Sequence, residues 1–246
     1  MEVLILGPNS GIGRAIAHEL ARTGRQLILA GRDTRQIHTM AADLHIRYGI
    51  QAAIRSFDAL DFASHQAFFE ACLDGKERLA GIILCFGAMS DQTDAERDFS
   101  LAKQMIDVNY SAYVSILNLA ASYFKRRRSG FICAISSVAG DRGRKSNFIY
   151  GSSKAALSTY LQGLRNDLSS SGVNVITVKP GFVDTKMTWG LIKPNSPLVA
   201  SPRKVAVDIL RAIENRRDVQ YTPRFWWWIM MVIKLIPERI FKRMSL

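Results

Sequence analysis

The sequence predicts an α/β fold, a doubly wound parallel sheet in one domain. Short apolar, β-rich runs alternate with longer helical stretches along most of the chain, and a glycine-rich turn follows the first of those runs. The length of 246 residues, 48% of them apolar, suffices for one full core and calls for no second one.

Strand-like runs fall at 3–6, 26–30, 52–57, 81–86, 131–135 and 173–178, each ahead of a helix-like stretch. That rhythm specifies βαβ units and a parallel sheet covered on both faces. Boundary signals agree: Gly24 follows the first helix, Asp33 opens the second and Gly49 closes it, and Gly172 ends a long helix beginning near Tyr150. No repeat or flexible linker interrupts the pattern. Ligands of such a sheet bind beyond the carboxyl ends of its strands, so chemistry is sought just after each strand.

Composition narrows the function. Apolar sequence begins at residue 3 with no basic leader or cleavage site ahead of it, so no signal peptide is expected and the protein is placed in the cytoplasm. Cys72, Cys85 and Cys133 lack CxxC or metal-ligand spacing and read as buried reduced thiols; no metal site is expected. The net charge of +12 points to an anionic partner: cofactor phosphates, a phosphorylated substrate, a lipid surface or nucleic acid. Nucleic acid is disfavoured because no reading module appears.

The first βα turn runs Gly7-Pro8-Asn9-Ser10-Gly11-Ile12-Gly13-Arg14. Its glycines permit a tight turn and close backbone approach, and it leads into a helix whose amino end attracts pyrophosphate. After the second strand, Ala30-Gly31-Arg32 has no carboxylate to hold a ribose 2′-hydroxyl and offers a guanidinium that can fork a 2′-phosphate, which favours NADPH over NADH. Arg14 serves equally well as a helper there or as a plain exposed helix residue.

Ser137 closes a strand, and Tyr150-Gly151-Ser152-Ser153-Lys154 opens a helix. Tyr150 and Lys154, four apart, share one helix face, so the ammonium should lower the phenol's pKa toward working pH. In a reduction Tyr150 would protonate the carbonyl oxygen, Ser137 would position it, and Lys154 would hold the ribose.

The GxxxGxG spacing, Ser137 and the YxxxK of Tyr150 and Lys154, all in order over residues 3–185, resemble the short-chain dehydrogenase/reductase family, which has a Rossmann-type fold. The resemblance implies further roles. Asn109 matches the helix Asn that kinks the backbone and holds a relay water, and Asp58 the adenine-contacting Asp. Pro180, Val183 and Thr185 match the loop that meets the nicotinamide carboxamide, with a substrate loop following to Ala200. Homodimers or homotetramers are implied as well. Two departures stand out: Leu6 replaces the family's usual Thr, and Cys85-Phe86-Gly87-Ala88 replaces Asn-Asn-Ala-Gly, leaving backbone contacts at Gly87 and a changed wall at Phe86.

Residues 224–246 form an apolar, then amphipathic, tail behind a catalytic domain at 1–223. Residues 225–236 are apolar almost all round a helix, with Lys234 the sole charge, and too short to span a bilayer. Beyond Pro237, Ile240, Phe241 and Met244 fall on one side and Glu238, Arg239, Lys242 and Arg243 on the other. The tail reads as a contact with the inner face of the cytoplasmic membrane, with an oligomer interface or pocket lid as the alternative. The Lys125 to Arg128 run reads as a solvated helix end, while Arg142, Arg144 and Lys145 are placed to meet a substrate phosphate.

Within the family, the Cys85-to-Gln92 segment and the Trp-rich basic tail resemble the polyprenyl-phosphoryl 2-keto-pentose reductases of cell-envelope arabinose synthesis. That implies a lipid-linked keto-sugar substrate and an oxidase partner. The alternatives are a reductase of another apolar carbonyl, such as a keto-lipid or steroid, and an NADPH-binding regulator. Intact Asn109, Ser137, Tyr150 and Lys154 argue against the regulator.

Overall fold

The computed structural model describes residues 1–74, 79–189 and 196–244. Its first half runs β1 (Glu2–Leu6), α1 (Gly11–Arg22), β2 (Gln26–Gly31), α2 (Thr34–Tyr48), β3 (Ala52–Ser56), α3 (His65–Leu73) and β4 (Leu79–Leu84). Next come α4 (Gln92–Arg97), α5 (Phe99–Ile106), α6 (Ala112–Arg127), β5 (Phe131–Ile135), α7 (Phe148–Leu168) and β6 (Asn174–Pro180). A two-residue ribbon of β7 (Phe182–Val183) and β8 (Val199–Ala200) precedes α8 (Pro202–Glu214), β9 (Val219–Thr222), α9 (Phe225–Leu235) and α10 (Glu238–Phe241).

Seven parallel strands stand in the order β3-β2-β1-β4-β5-β6-β9. The winding reverses between β1 and β4, and this switch point is where the open sheet leaves a crevice. Strand residues alternate between two cores: Leu4 and Leu6 pack with α3, α6 and α7, while Val3 and Ile5 pack with α1, α2 and α8. Cover on both faces is why these strands read as continuous apolar runs. The expected caps are in place, with Asp33 accepting from the Gln36 amide and Gly49 left-handed at φ 69°. The cysteines are buried and free.

Six strands were expected, and the seventh, β9, is an addition. It is four residues long, and its buried members Gln220 and Thr222 are polar, so no apolar run marks it. Thr222 is satisfied by donating to Asp208 Oδ2 at 2.9 Å. The Lys125 to Arg128 run ends α6, where Lys125 pairs with Asp167 and Arg128 donates to the Ser170 carbonyl.

α9 lies against the catalytic domain. Trp226 and Met230 are buried on Val138, Phe182 and Tyr221, and Phe182 meets the Trp226 indole edge-on at 5.6 Å. The Arg142 guanidinium donates to the carbonyls of Ile233, Lys234 and Ile236 at the end of α9, pairs with Glu238 and lies 3.9 Å over the Phe241 ring. A cation thus satisfies the free carbonyls of the helix end. α10 is shorter than the amphipathic stretch expected from 238 to 244; Phe241 is buried and Ile240 exposed. The composition change at residue 224 is therefore no gap in packing.

Gly181 has no room for a side chain, since a Cβ there would sit 1.9 Å from Trp226 Nε1. Gly181→Ala should push α9 off its seat and destabilise the protein by about 1–3 kcal/mol, as overpacking does. At this size that lowers the thermal midpoint by roughly 2–4 °C per kcal/mol. Circular dichroism on heating measures the shift, and an unchanged midpoint would show that Trp226 is not packed on Gly181.

Candidate active site

The glycine-rich turn is knotted by Ser10, whose hydroxyl donates to the Gly7 carbonyl and accepts from the Gly13 amide, both at 2.9 Å. Gly7 has φ +83°, and a Cβ at Gly13 would come within 2.3 Å of the Gly7 carbonyl oxygen, so the turn closes only around glycine. With this knot in place the turn does without a Thr; Leu6 points into the core. Asn9 Nδ2 donates to the Asp33 carbonyl at 3.0 Å, while its Oδ1 is buried without a partner.

A cavity of about 320 Å³ beside the turn is lined by Gly7, Asn9, Ser10, Arg32, Asp58 and Gly87. Arg32 is exposed and makes no ion pair among the described residues. Asp58 Oδ1 accepts from the Leu60 amide. Behind it, His65 is buried and bridges the Asp58 carbonyl and the Ser115 hydroxyl. Nothing in the sequence marks His65, a single histidine on a short helix. Backbone donors at a helix start, an orphaned acceptor and an unpaired guanidinium fit a phosphorylated dinucleotide.

The larger cavity, about 1070 Å³, begins at the same turn with Gly11 and Ile12 and reaches Ser137, Tyr150 and Lys154. Pro180, Val183 and Thr185 line its far side. Gly13 and Asn109 line neither cavity: Gly13 closes the turn, and Asn109 stands against Gly87 in the loop after β4.

The floor is built where α7 docks on the end of β5. Ser136 donates to the Lys154 carbonyl at 2.9 Å and shares a hydrogen bond with Ser158. Lys154 Nζ donates to the Ile135 carbonyl at 3.0 Å. Ser137 accepts from the Ala139 amide and lies near enough to Tyr150 to favour its phenolate slightly. A π-helical turn over Asp107–Ser111 carries Asn109, which accepts from the Ala88 amide and donates to the Ala88 carbonyl and Ser153 Oγ. One N–H of its side chain clamps the loop after β4, and the other ties the turn to α7.

The electrostatics correct one expectation. Burial pushes the Tyr150 phenol up to about 12, against a smaller lowering by the Ser137 hydrogen bond. Burial also brings Lys154 down to about 7. The ammonium stands 5.9 Å from the Tyr150 ring centre, and desolvation of both groups outweighs the attraction read from their spacing. Tyr150 accordingly keeps its proton, which is the form a proton donor needs.

Of the basic cluster before Tyr150, only Arg144 reaches the large cavity; Lys145 is exposed, and Arg142 is committed to α9. Phe86 lines both cavities and packs on Tyr113 at 4.5 Å. Of the substrate loop expected after Thr185, Lys186, Met187 and Thr188 line the cavity and 190–195 lie outside the described residues. The sequence reading missed that Trp226 backs this wall, since no local pattern says which face of an apolar helix is covered.

Residues 2–195 match the family described as short chain dehydrogenase. An uncharacterized oxidoreductase of Mycobacterium tuberculosis is 34% identical over 98% of this chain and 96% of its own. One of Streptomyces coelicolor is 32% identical over 98% of this chain and 95% of its own. Among solved structures, a short-chain dehydrogenase of Sphingobium yanoikuyae in complex with NADPH is 27% identical, with a TM-score of 0.83 over 96% of each chain. Actinorhodin polyketide ketoreductase with NADPH, 20% identical with a TM-score of 0.80 over 89% of this chain and 94% of its own, shares the fold. With the matched turn, sheet and site residues, the chain belongs to the short-chain dehydrogenase family and is an oxidoreductase of that family.

Proposed function

We propose that the protein reduces a ketone with NADPH, and that its substrate is a polyprenyl-phosphoryl 2-keto-pentose presented at a membrane surface. Arg32 and the NADPH-bound Sphingobium relative support the cofactor. The amides of Gly11 and Ile12, with Asn9 and Ser10, would hold the pyrophosphate, with Gly13 closing the turn beneath them, Arg32 the 2′-phosphate and Asp58 the adenine end; Gly7 and Gly87 let the backbone approach. Pro180, Val183 and Thr185 hold the carboxamide. Bound there, the cofactor supplies hydride to the carbonyl carbon. Tyr150 donates its phenolic proton to the carbonyl oxygen, and Ser137 hydrogen-bonds and positions that oxygen. Lys154 holds the ribose beside Tyr150, and Asn109 fixes the Ala88 backbone around it. The product is the alcohol, with one hydride and one proton added.

The observation that carries the substrate reading is α9. One face backs the cavity wall through Val138 and Phe182, and the other leaves Trp227, Trp228, Val232 and Leu235 exposed, Leu235 by 75%. Arg224 and Lys234, at the two ends of α9, and Arg239, Lys242 and Arg243 beyond it are exposed as well. No helix among the described residues is long and apolar enough to cross a membrane. A face of this kind lies in the interface: each large apolar side chain contributes about 1.5–3 kcal/mol, and each basic residue about 1 kcal/mol on anionic lipid. A polyprenyl phosphate substrate resides there and carries the matching charge. An oxidase that supplies the keto sugar is the corresponding partner, and the protein itself works as a homodimer or homotetramer.

The test offers the prenyl-linked keto sugar in anionic vesicles and follows NADPH absorbance. One NADPH should be consumed per alcohol formed. Tyr150→Phe should keep NADPH affinity and lower turnover by about 10² or more, the usual share of a general acid. Trp228→Glu with Leu235→Glu should abolish vesicle binding and activity on the vesicle substrate while reduction of a small soluble ketone persists. Reduction of a free keto-lipid or steroid without the prenyl-linked sugar would overturn the substrate reading and leave the reductase standing. Arg32→Ala should weaken NADPH more than NADH, by about 1.5–3 kcal/mol for a lost charged hydrogen bond. Equal losses for the two cofactors would contradict a 2′-phosphate contact.

A further inference from the structure

Arg144 stands in the loop between Ser137 and Tyr150 and lines the cavity those residues share. Its side chain is half-buried, its Nε is buried without a hydrogen-bond partner, and its guanidinium makes no ion pair among the described residues. Shielded cations elsewhere are provided for: Arg142 by three carbonyls and Glu238, Arg165 by Val175, Thr177 and Asp218, and Lys179 by Asp141. Asp141, the carboxylate nearest in sequence, already accepts from Lys179 and from the Tyr221 hydroxyl. Asn147, which also lines the cavity, has a buried Oδ1 with no partner.

An uncompensated guanidinium and an orphaned acceptor on one cavity wall are the complement of an anionic, hydroxyl-bearing ligand. We infer that Arg144 binds a phosphoryl group of the carbonyl substrate, with Asn147 accepting from a neighbouring hydroxyl, and that this pair selects phosphorylated keto sugars over neutral ketones. The assignment rests on the reading of this cavity as the reduction site. Desolvation also depresses the Arg144 pKa, as expected of a cation waiting for a counter-charge. The cofactor's own phosphates belong to the other end of the crevice, at the glycine-rich turn and Arg32, so the two anion sites are separable by mutation.

The test compares 4-acetylphenyl phosphate with acetophenone on wild type, Arg144→Met and Arg144→Lys. Calorimetry on NADP⁺-saturated protein reads binding without turnover, and NADPH oxidation reads kcat and KM. Wild type should prefer the phosphate ester, and Arg144→Met should lose at least about tenfold of that preference, the loss of one charge-assisted hydrogen bond. Arg144→Lys should keep part of it. Acetophenone turnover and NADPH affinity should stay unchanged in both variants, and the thermal midpoint should not fall, since Arg144→Met removes a cation without a partner. Unchanged affinity of Arg144→Met for the phosphate ester, or an equal loss for acetophenone, would overturn the assignment. Binding of the ester that depends on Arg144, with no reduction by NADPH, would uphold the anion site and overturn the reductase reading.

Discussion

Lys154 reaches from α7 to the carbonyl of Ile135 at the end of β5, and the site depends on that contact. An ammonium is expensive to bury, so it stays there only because the surrounding backbone is held still. Ser136 and Ser158 provide that restraint by bonding the Lys154 carbonyl, and the Asn109 to Ser153 bond ties the same helix to the loop after β4. Three chain segments, the ends of β4 and β5 and the start of α7, are thereby fixed on one another. Tyr150, one helical turn before Lys154, inherits its position and its burial from them.

The segment between Ser137 and Tyr150 then links this floor to everything that surrounds it. Asp141 joins Lys179 on β6 to Tyr221 on β9, in a pair shielded from water. Arg142 holds the end of α9, and Arg144 turns into the cavity. α9 therefore reaches the reacting region through Val138 and Phe182 while its other face meets solvent. On the proposal that α9 faces a membrane, a helix seated in this way brings that surface to the wall of the cavity without any change in the sheet.

The parts legible in the sequence were those that local patterns encode. Strand runs covered on both faces are apolar throughout, so six of the strands in the main sheet announced themselves. The glycine spacing of 7, 11 and 13 and the four-residue step from Tyr150 to Lys154 are local too. β9 was hidden because its buried residues are polar and satisfied by partners far along the chain. Arg142 and Arg144 look alike as neighbours in a basic loop, yet one caps a helix some ninety residues later and the other has no partner among the described residues. The Tyr150 shift was read with the wrong sign because spacing reports the attraction between two groups and says nothing of the desolvation each undergoes. Trp226 was visible as part of an apolar tail, but which of its faces is covered is a property of the fold.

The most direct test of this account is the pH dependence of stability in wild type against Lys154→Met, by denaturant unfolding. Burial lowers the folded-state pKa of Lys154 from 10.5 to about 7, so between these values the unfolded chain binds more protons than the folded one. Stability contributed through Lys154 must then rise as pH increases across that window, and the cost of the buried charge is greatest below it. The stability of wild type relative to Lys154→Met should increase from pH 7 toward 10. A difference that stays flat over the same range would mean that Lys154 titrates as an ordinary exposed lysine, and the desolvated floor described here would be wrong.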